Sequence, residues 1–338
     1  MPVNVAVVGP VGAGKTTLFN ALTSGRGADG VGMVDVPDER LDRLAAAVKP
    51  KKVVPAQVRV ADAPPGSRAQ RVAAAREADV VLSVARCFGP EPDPGHDLEE
   101  TKLDLVLADL ASVERRLDLV EKEARVGKKD AAAELEALKA AKTHLDAGLP
   151  LRTLELESDA RPHLGPLFAA TLKPAVYLAN LDDSQLPEGG EPAAKVARLA
   201  AEDRAGSVRL SAQLELELSE LDASEREEYR RTYGLTESGL GAVARAVWDA
   251  GGLITYFTAG EPEVRAWPVE AGSPAPMAAG RIHSDFEKHF IRAEVTSVDE
   301  LVEAGSMEAL RAAGRLRVEG RDYVVKDGDV VFFRVSPK

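Results

Sequence analysis

Residues 3–18, VNVAVVGPVGAGKTTL, constrain the chain more than any other stretch. Val3, Val5, Ala6, Val7 and Val8 form a short apolar run that reads as a buried strand. Gly9, Gly12, Ala13 and Gly14 make a glycine-rich turn. Lys15, Thr16 and Thr17 follow, and then a helix carrying Leu18, Phe19, Ala21 and Leu22. This is GxxxxGK[ST] in the strand–loop–helix setting that gives the motif its meaning. Glycines let successive backbone amides curl inward onto phosphate oxygens. Lys15 adds a point charge at the β- and γ-phosphates, and the Thr16 hydroxyl is placed to ligate Mg2+. The following helix aims its positive end at the same anion.

At 338 residues the chain has room for two or three domains. A net charge of −12 excludes a protein that binds polyanions over its whole surface, so nucleic acid would need a local basic patch. The single cysteine, Cys87, has no internal disulfide partner. That fits a reducing cytoplasm, and Cys87 reads as a small apolar residue at a strand end. No apolar run reaches membrane-spanning length and no signal-peptide pattern opens the chain, so no membrane partner is expected.

Residues 33–36 read as a short strand and 37–48 as a helix with Asp38 and Glu39 in its first turn. A strand over 53–61 ends in Asp62, where a P-loop protein places its second metal-shell acid. In GTPase-like switches that acid opens Asp-x-x-Gly, whose glycine amide meets the γ-phosphate. Here Pro65 stands at the glycine position and has no N–H to donate, with Gly66 one residue later. No threonine lies between Thr23 and Thr101 to close on the metal. Gln70 is the only nearby amide that could orient water, so no catalytic residue is assigned. Arg68, Arg71 and Arg76 read as a solvated face of a helix over 68–78. Residues 79–85 are another buried strand.

Leu103, Val106, Leu107, Leu110, Val113, Leu117 and Val120 recur at three- and four-residue spacing. After a break at 126–130, Leu135, Leu138, Ala141 and Leu145 repeat the pattern. The two runs predict an antiparallel helical hairpin, either an arm for a partner or a structural insertion. A strand over 173–179 leads into Asn180, Leu181 and Asp183, a base-recognition candidate where GTPases carry Asn-Lys-x-Asp. A strand over 208–212 ends in Ser211 and Ala212, where a base-contacting backbone loop would sit. Helices are expected over 191–205, 214–228 and 235–248.

From residue 253 the pattern changes to strands at 254–258, 264–269, 291–295, 323–325 and 330–335, with helices at 284–290 and 297–304. This is a small α+β unit. Arg281, His283, Lys288, His289 and Arg292 suggest a basic patch, with Asp285 and Glu287 interleaved among them. His283 and His289 have no metal-ligand spacing.

These residues together resemble the YchF family of Obg-like ATPases. The specific matches are VPDERLDRL at 36–44 with KP at 49–50, LKP at 172–174 with YLAN at 177–180, and TYFTAG at 255–260 with EVRAW at 263–267. AAGRIH at 278–283, DFEK at 285–288, FIRA at 290–293, EGRDY at 319–323 and VKDGD at 325–329 extend the likeness to the carboxyl end. The resemblance implies an α/β P-loop NTPase domain of the OBG type, interrupted by the hairpin, followed by a TGS-like β-grasp domain. The expected division is 1–97 and 151–252 for the nucleotide domain, 98–150 for the hairpin and 253–338 for the TGS-like domain. It implies ATP or GTP bound with Mg2+, slow hydrolysis, a cytoplasmic setting, and a ribosome or rRNA partner reached through the TGS-like domain and the hairpin.

Nucleotide would be held by Gly9, Gly12, Ala13, Gly14, Lys15, Thr16 and Thr17, and by Asn180, Leu181, Asp183, Ser211 and Ala212. Thr16 and Asp62 would hold the metal. The family uses Asn-x-x-Glu with an apolar second residue. Asn180 and Leu181 fit, whereas Asp183 restores the shorter acid of GTPases, so ATP is expected ahead of GTP. The altered switch segments leave a second reading, a protein of the same fold that binds nucleotide without hydrolysing it or serves purely in interactions.

Overall fold

The computed structural model describes residues 3–25, 27–28, 30–62, 68–126, 128–157 and 160–336. Pro65 and Gly66 therefore lie outside the described residues. In chain order the first elements are β1 (Val3–Val8), α1 (Lys15–Thr23), β2 (Val31–Val36), α2 (Glu39–Val48), β3 (Val53–Val54) and β4 (Ala56–Asp62). Next come α3 (Arg68–Glu77), β5 (Val80–Cys87), α4 (Pro94–Arg125), α5 (Ala131–Asp146), β6 (Ala175–Leu181), α6 (Gly190–Glu202) and β7 (Gly206–Leu210). Helices α7 (Ala212–Glu220), α8 (Ala223–Thr232) and α9 (Gly239–Ala250) lead to β8 (Leu253–Ala259), β9 (Val264–Glu270), α10 (Ala275–Ile282) and α11 (Ser284–Lys288). The chain ends with β10 (Phe290–Ser297), α12 (Val298–Ala304), α13 (Met307–Ala312), β11 (Arg317–Glu319) and β12 (Asp329–Val335). Two compact units result, one from 4–34 and 59–250, the other from 35–58 and the chain from 251 onward.

The first unit is built on a sheet of order β2-β4-β1-β5-β6-β7. Strands β1, β5, β6 and β7 run parallel. Alternation along each strand sends side chains to opposite faces. One face carries Ala6, Val8, Val81, Ala85, Cys87, Ala179 and Leu181 and packs against α3, α4 and α6. Val5, Val7, Leu82, Val84, Val176, Leu178 and Asn180 alternate with them and point to the other face, equally buried. This two-sided burial explains why these strands read as continuous apolar runs. Cys87 ends β5 inside the core, and burial pushes its thiol up to about 12.

Helix α4 starts at an Asp93 cap with Pro94 in its first turn, a position that needs no N–H. Val106, Val113 and Val120 meet Leu138, Ala141 and Leu145 of α5 in one apolar seam. Arg116 grips Glu134 through two bonds of 2.6 and 2.8 Å, and Lys142 reaches Glu114 at 2.9 Å. The expected antiparallel hairpin is present.

Arg68, Arg71 and Arg76 are not a solvated face. Arg68 and Arg71 both pair with Asp104 of α4, at 3.1 and 2.6 Å. Arg76 reaches Asp109, Ser112 and the Ala108 carbonyl. The expected helix over 214–228 is two helices. Asp222 accepts from the amides of Ser224 and Glu225, and Glu225 reaches back to the Asp222 amide, starting α8.

The second unit has a sheet of order β11-β10-β12-β8-β9-β3. Its core gathers Tyr256, Val269, Ala275, Ala278, Phe290, Val295, Val331 and Phe333 under α10. Helix α2 belongs here, packed against α12 and β9. Arg40 bonds Asp38 and Asp327 at 2.8 and 2.6 Å, and Asp327 also accepts the Thr255 amide at 2.9 Å. The expected strand at 323–325 is only a single bridge between Pro274 and Val324. The third strand of that region is β11 instead, a short edge that the sequence pattern did not announce.

Candidate functional site

The carboxyl ends of β1, β6 and β7 bring their loops together, as parallel strands of one sheet must. Gly9 leaves β1 with φ +148°, and a Cβ there would lie 2.5 Å from the Val84 carbonyl oxygen of the neighbouring strand. Gly14 has φ +86°, and its Cβ would fall 2.2 Å from Asn180 Nδ2. Both positions admit only glycine. Ala13 is fully buried, and its carbonyl accepts from Asn180 Nδ2 at 2.9 Å. Lys15 Nζ donates to the Pro10 carbonyl at 2.6 Å, folding back over its own loop. Burial lowers its pKa, with the Asp62 charge opposing.

Asn180 is buried and bonds in both directions. Its Oδ1 accepts the Ala212 amide at 2.9 Å, which ties the loop after β7 to the P-loop. Ser211 caps α7 by accepting from the Leu214 amide at 3.2 Å, and its hydroxyl donates to the Asp183 carboxylate. A cavity of about 530 Å³ opens between these loops, lined by Gly14, Thr17, Phe88, Asn180, Asp183 and Ser211. That volume is ordinary for a small-molecule site.

Leu181 also borders the cavity, but it is only 2% exposed and packs among Cys87, Ala193 and Val196. Strand alternation turns it away from the face that Asn180 occupies. Phe88 was not anticipated. It follows β5 directly, and its ring lies 3.7 Å from the Cβ position of Gly14. The sequence signal was available, namely an aromatic residue directly after a buried parallel strand.

At the other end of the loop, Thr16 Oγ1 donates to Asp62 Oδ2 at 3.1 Å. The second carboxylate oxygen, Oδ1, is buried and has no hydrogen-bond partner among the described residues. Burial raises the Asp62 pKa, against the Thr16 bond and the Lys15 charge. An unpaired buried carboxylate oxygen beside a hydroxyl is a donor set that fits a hard divalent cation. Among the described residues no cluster of three His, Cys, Asp or Glu side chains could hold a metal, so such a cation would draw its other oxygens from ligand or water. No helix among the described residues is long and apolar enough to cross a membrane.

Comparison with known proteins agrees with this architecture over the whole chain. Residues 4–135 match a family model described as 50S ribosome-binding GTPase. Residues 253–336 match the YchF GTPase C-terminal model, described as a protein of unknown function. The ribosome-binding ATPase YchF of Bacillus subtilis (strain 168) is 37% identical, across 99% of this chain and 100% of that one. The protein of the same name from Escherichia coli O157:H7 is also 37% identical, across 97% of each. The solved structure of the Schizosaccharomyces pombe YchF GTPase superposes with a TM-score of 0.88 at 27% identity, covering 98% of this chain and 97% of that one. The chain belongs to the YchF family.

Proposed function

We propose that this protein binds a purine nucleoside triphosphate with Mg2+, ATP ahead of GTP, hydrolyses it slowly, and works in association with the ribosome in the cytoplasm. The observation that carries this reading is the pair of bonds from Asn180 to Ala13 and Ala212. They hold a phosphate-type loop and a base-type loop around one cavity. Inward amides of the 9–14 loop and Lys15 would take the β- and γ-phosphates, once Lys15 releases the Pro10 carbonyl. Asp183, Ser211 and the Ala212 backbone would read the base, with Phe88 against its ring. Thr16 and Asp62 would hold the metal, which when bound would neutralise charge between the phosphates. The division into a nucleotide domain, a hairpin over 98–150 and a TGS-like domain from 253 is part of the same proposal. So is the ribosome partner, which the names of the relatives suggest.

A second reading, nucleotide binding without hydrolysis, draws on the sequence between Thr23 and Thr101, which offers no switch threonine. Multiple-turnover phosphate release, compared with Lys15→Ala, decides between them. Release above that control supports hydrolysis, and release equal to it with nucleotide still bound supports the second reading.

A further inference from the structure

Strand β7 ends the sheet of the first unit, with β6 on one side and no strand among the described residues on the other. Parallel pairing to β6 uses the N–H and C=O of alternate residues and leaves those of the intervening residues on the outer edge. A cavity of about 420 Å³ borders this strand, lined by the consecutive residues 207–211. Successive side chains of a strand point to opposite faces, so one cavity can touch all of them only by following the edge. The two faces are identifiable. A Cβ on Gly206 would lie 3.9 Å from the Ala246 carbonyl oxygen of α9, which puts Gly206, Val208 and Leu210 on the α9 side. Arg209 Cδ lies 3.2 Å from the Cβ position of Gly189, just before α6, on the side that Ser207 shares.

The two walls of this groove differ in chemistry. On the α9 side Val208, Leu210, Leu214 and Leu235 are apolar, and α9 contributes Ala242 and Ala246. These alanines, one helical turn apart, leave the width that larger side chains would fill. Arg245 of α9 is engaged in an ion pair with Glu237, and Asp249 stands exposed in the last turn of the helix. On the opposite side Arg209 is exposed. Its Nε donates to the Pro187 carbonyl at 2.8 Å, and its two terminal nitrogens meet no acceptor among the described residues. One wall therefore takes apolar groups and repels acids, and the other presents an unused guanidinium.

We propose that the outer edge of β7 binds an extended peptide segment of a partner protein, which adds to the sheet as one further strand, its apolar residues facing α9 and its acidic residues facing Arg209. Main-chain bonds to the outer groups of β7 supply affinity, and the two walls select alternate side chains. A charged side chain on an edge strand keeps it from pairing indiscriminately, and here Arg209 selects the charge of the segment that does pair. A small metabolite would leave the row of outer backbone groups unused. A second copy of this chain would bring another β7 carrying the same charge, and like charges across a strand pair are unfavourable. The groove meets the nucleotide cavity at Ser211, and the proposal does not depend on what that cavity holds.

The test pans a phage-displayed library of random heptapeptides against the full-length protein. Enriched sequences are expected to alternate apolar and acidic residues. The leading peptide is then made with a fluorescent label and measured by anisotropy. N-methylation of single amides is expected to weaken binding about tenfold at every second residue and to leave the residues between unaffected, because the amides of an added strand alternate between sheet and solvent. Arg209→Glu is expected to weaken the peptide about tenfold and to bind its counterpart with lysine at the acidic positions. The N-methyl scan uses the wild type, so it decides the matter even where a substitution disturbs the fold. Absence of enrichment, enrichment without alternation, or N-methyl effects without a period of two would overturn the proposal. Unchanged affinity in a folded Arg209→Glu would overturn it too. So would a wild-type dimer in sedimentation that Arg209→Glu abolishes, with a second copy as the occupant.

Discussion

The side-chain amide of Asn180 donates to the carbonyl of Ala13, 167 residues away in the chain, at 2.9 Å. The same side chain accepts from Ala212 at 2.9 Å. One buried amide thus fixes the P-loop and the loop after β7 to the end of β6. Asn180→Ala leaves a buried carbonyl and a buried N–H without partners. The expected loss is about 2–4 kcal/mol of unfolding free energy, read by urea denaturation, together with weaker nucleotide binding.

The glycines of the loop differ in what surrounds them. Gly9 and Gly12 both have positive φ, +148° and +85°, but only Gly9 would drive a Cβ into the backbone of β5. Gly12→Ala meets no neighbour within 4 Å, so it carries backbone strain alone, about 1–2 kcal/mol. Gly9→Ala adds a clash that only a shift of the sheet relieves. Its thermal midpoint is expected to fall well below that of Gly12→Ala, and equal midpoints would contradict the geometry.

Asp109 sits fully buried on α4. It accepts from Ala170 and Thr171 amides at 3.1 and 2.7 Å and from Arg76 at 3.2 Å. Removing it leaves two buried amides without their acceptor and takes the ionic partner from Arg76, which keeps its bonds to Ser112 and the Ala108 carbonyl. Asp109→Ala is expected to cost about 3–5 kcal/mol in chemical denaturation. Asp104→Ala, at a site where Arg68 is half exposed, is expected to cost much less.

Glu215 gives the pH dependence. It is 3% exposed, and burial raises its pKa, against bonds from Gly239, Leu240 and Ser238. A raised carboxylate pKa stabilises the fold below the unfolded value. That contribution is lost as pH rises through the folded value. Glu215→Gln keeps an acceptor for the Gly239 amide, now bonded at 2.7 Å, and does not titrate. The stability of the wild type relative to this variant is therefore expected to fall as pH rises from 4.5, measured by denaturation at several pH values up to 8.

Much of this was legible because it depends on local patterns. The P-loop announces itself through residue type at fixed spacing, and the hairpin through apolar periodicity. Phe88, and the capture of the α3 arginines by Asp104 and Asp109, come from elements far apart in sequence, and periodicity carries no information about such pairings. Leu181 shows the opposite case. Its neighbour to Asn180 in sequence is its opposite in space, because adjacent strand residues face opposite ways. The Asp222 cap that divides α7 from α8 was readable as Asp-x-x-Glu, yet a continuous acidic run concealed it. Edge strand β11 is three residues long, too short for any alternation to register.

The central claim is that one cavity holds a nucleotide between the 9–14 loop and Asn180. Calorimetric titration of the purified protein with ATP, ADP, GTP and GDP in Mg2+, alongside Asn180→Ala, tests it most directly. The account predicts saturable binding by the wild type, adenine nucleotides ahead of guanine, and a marked loss of affinity in the variant. Absence of binding at millimolar nucleotide would contradict it.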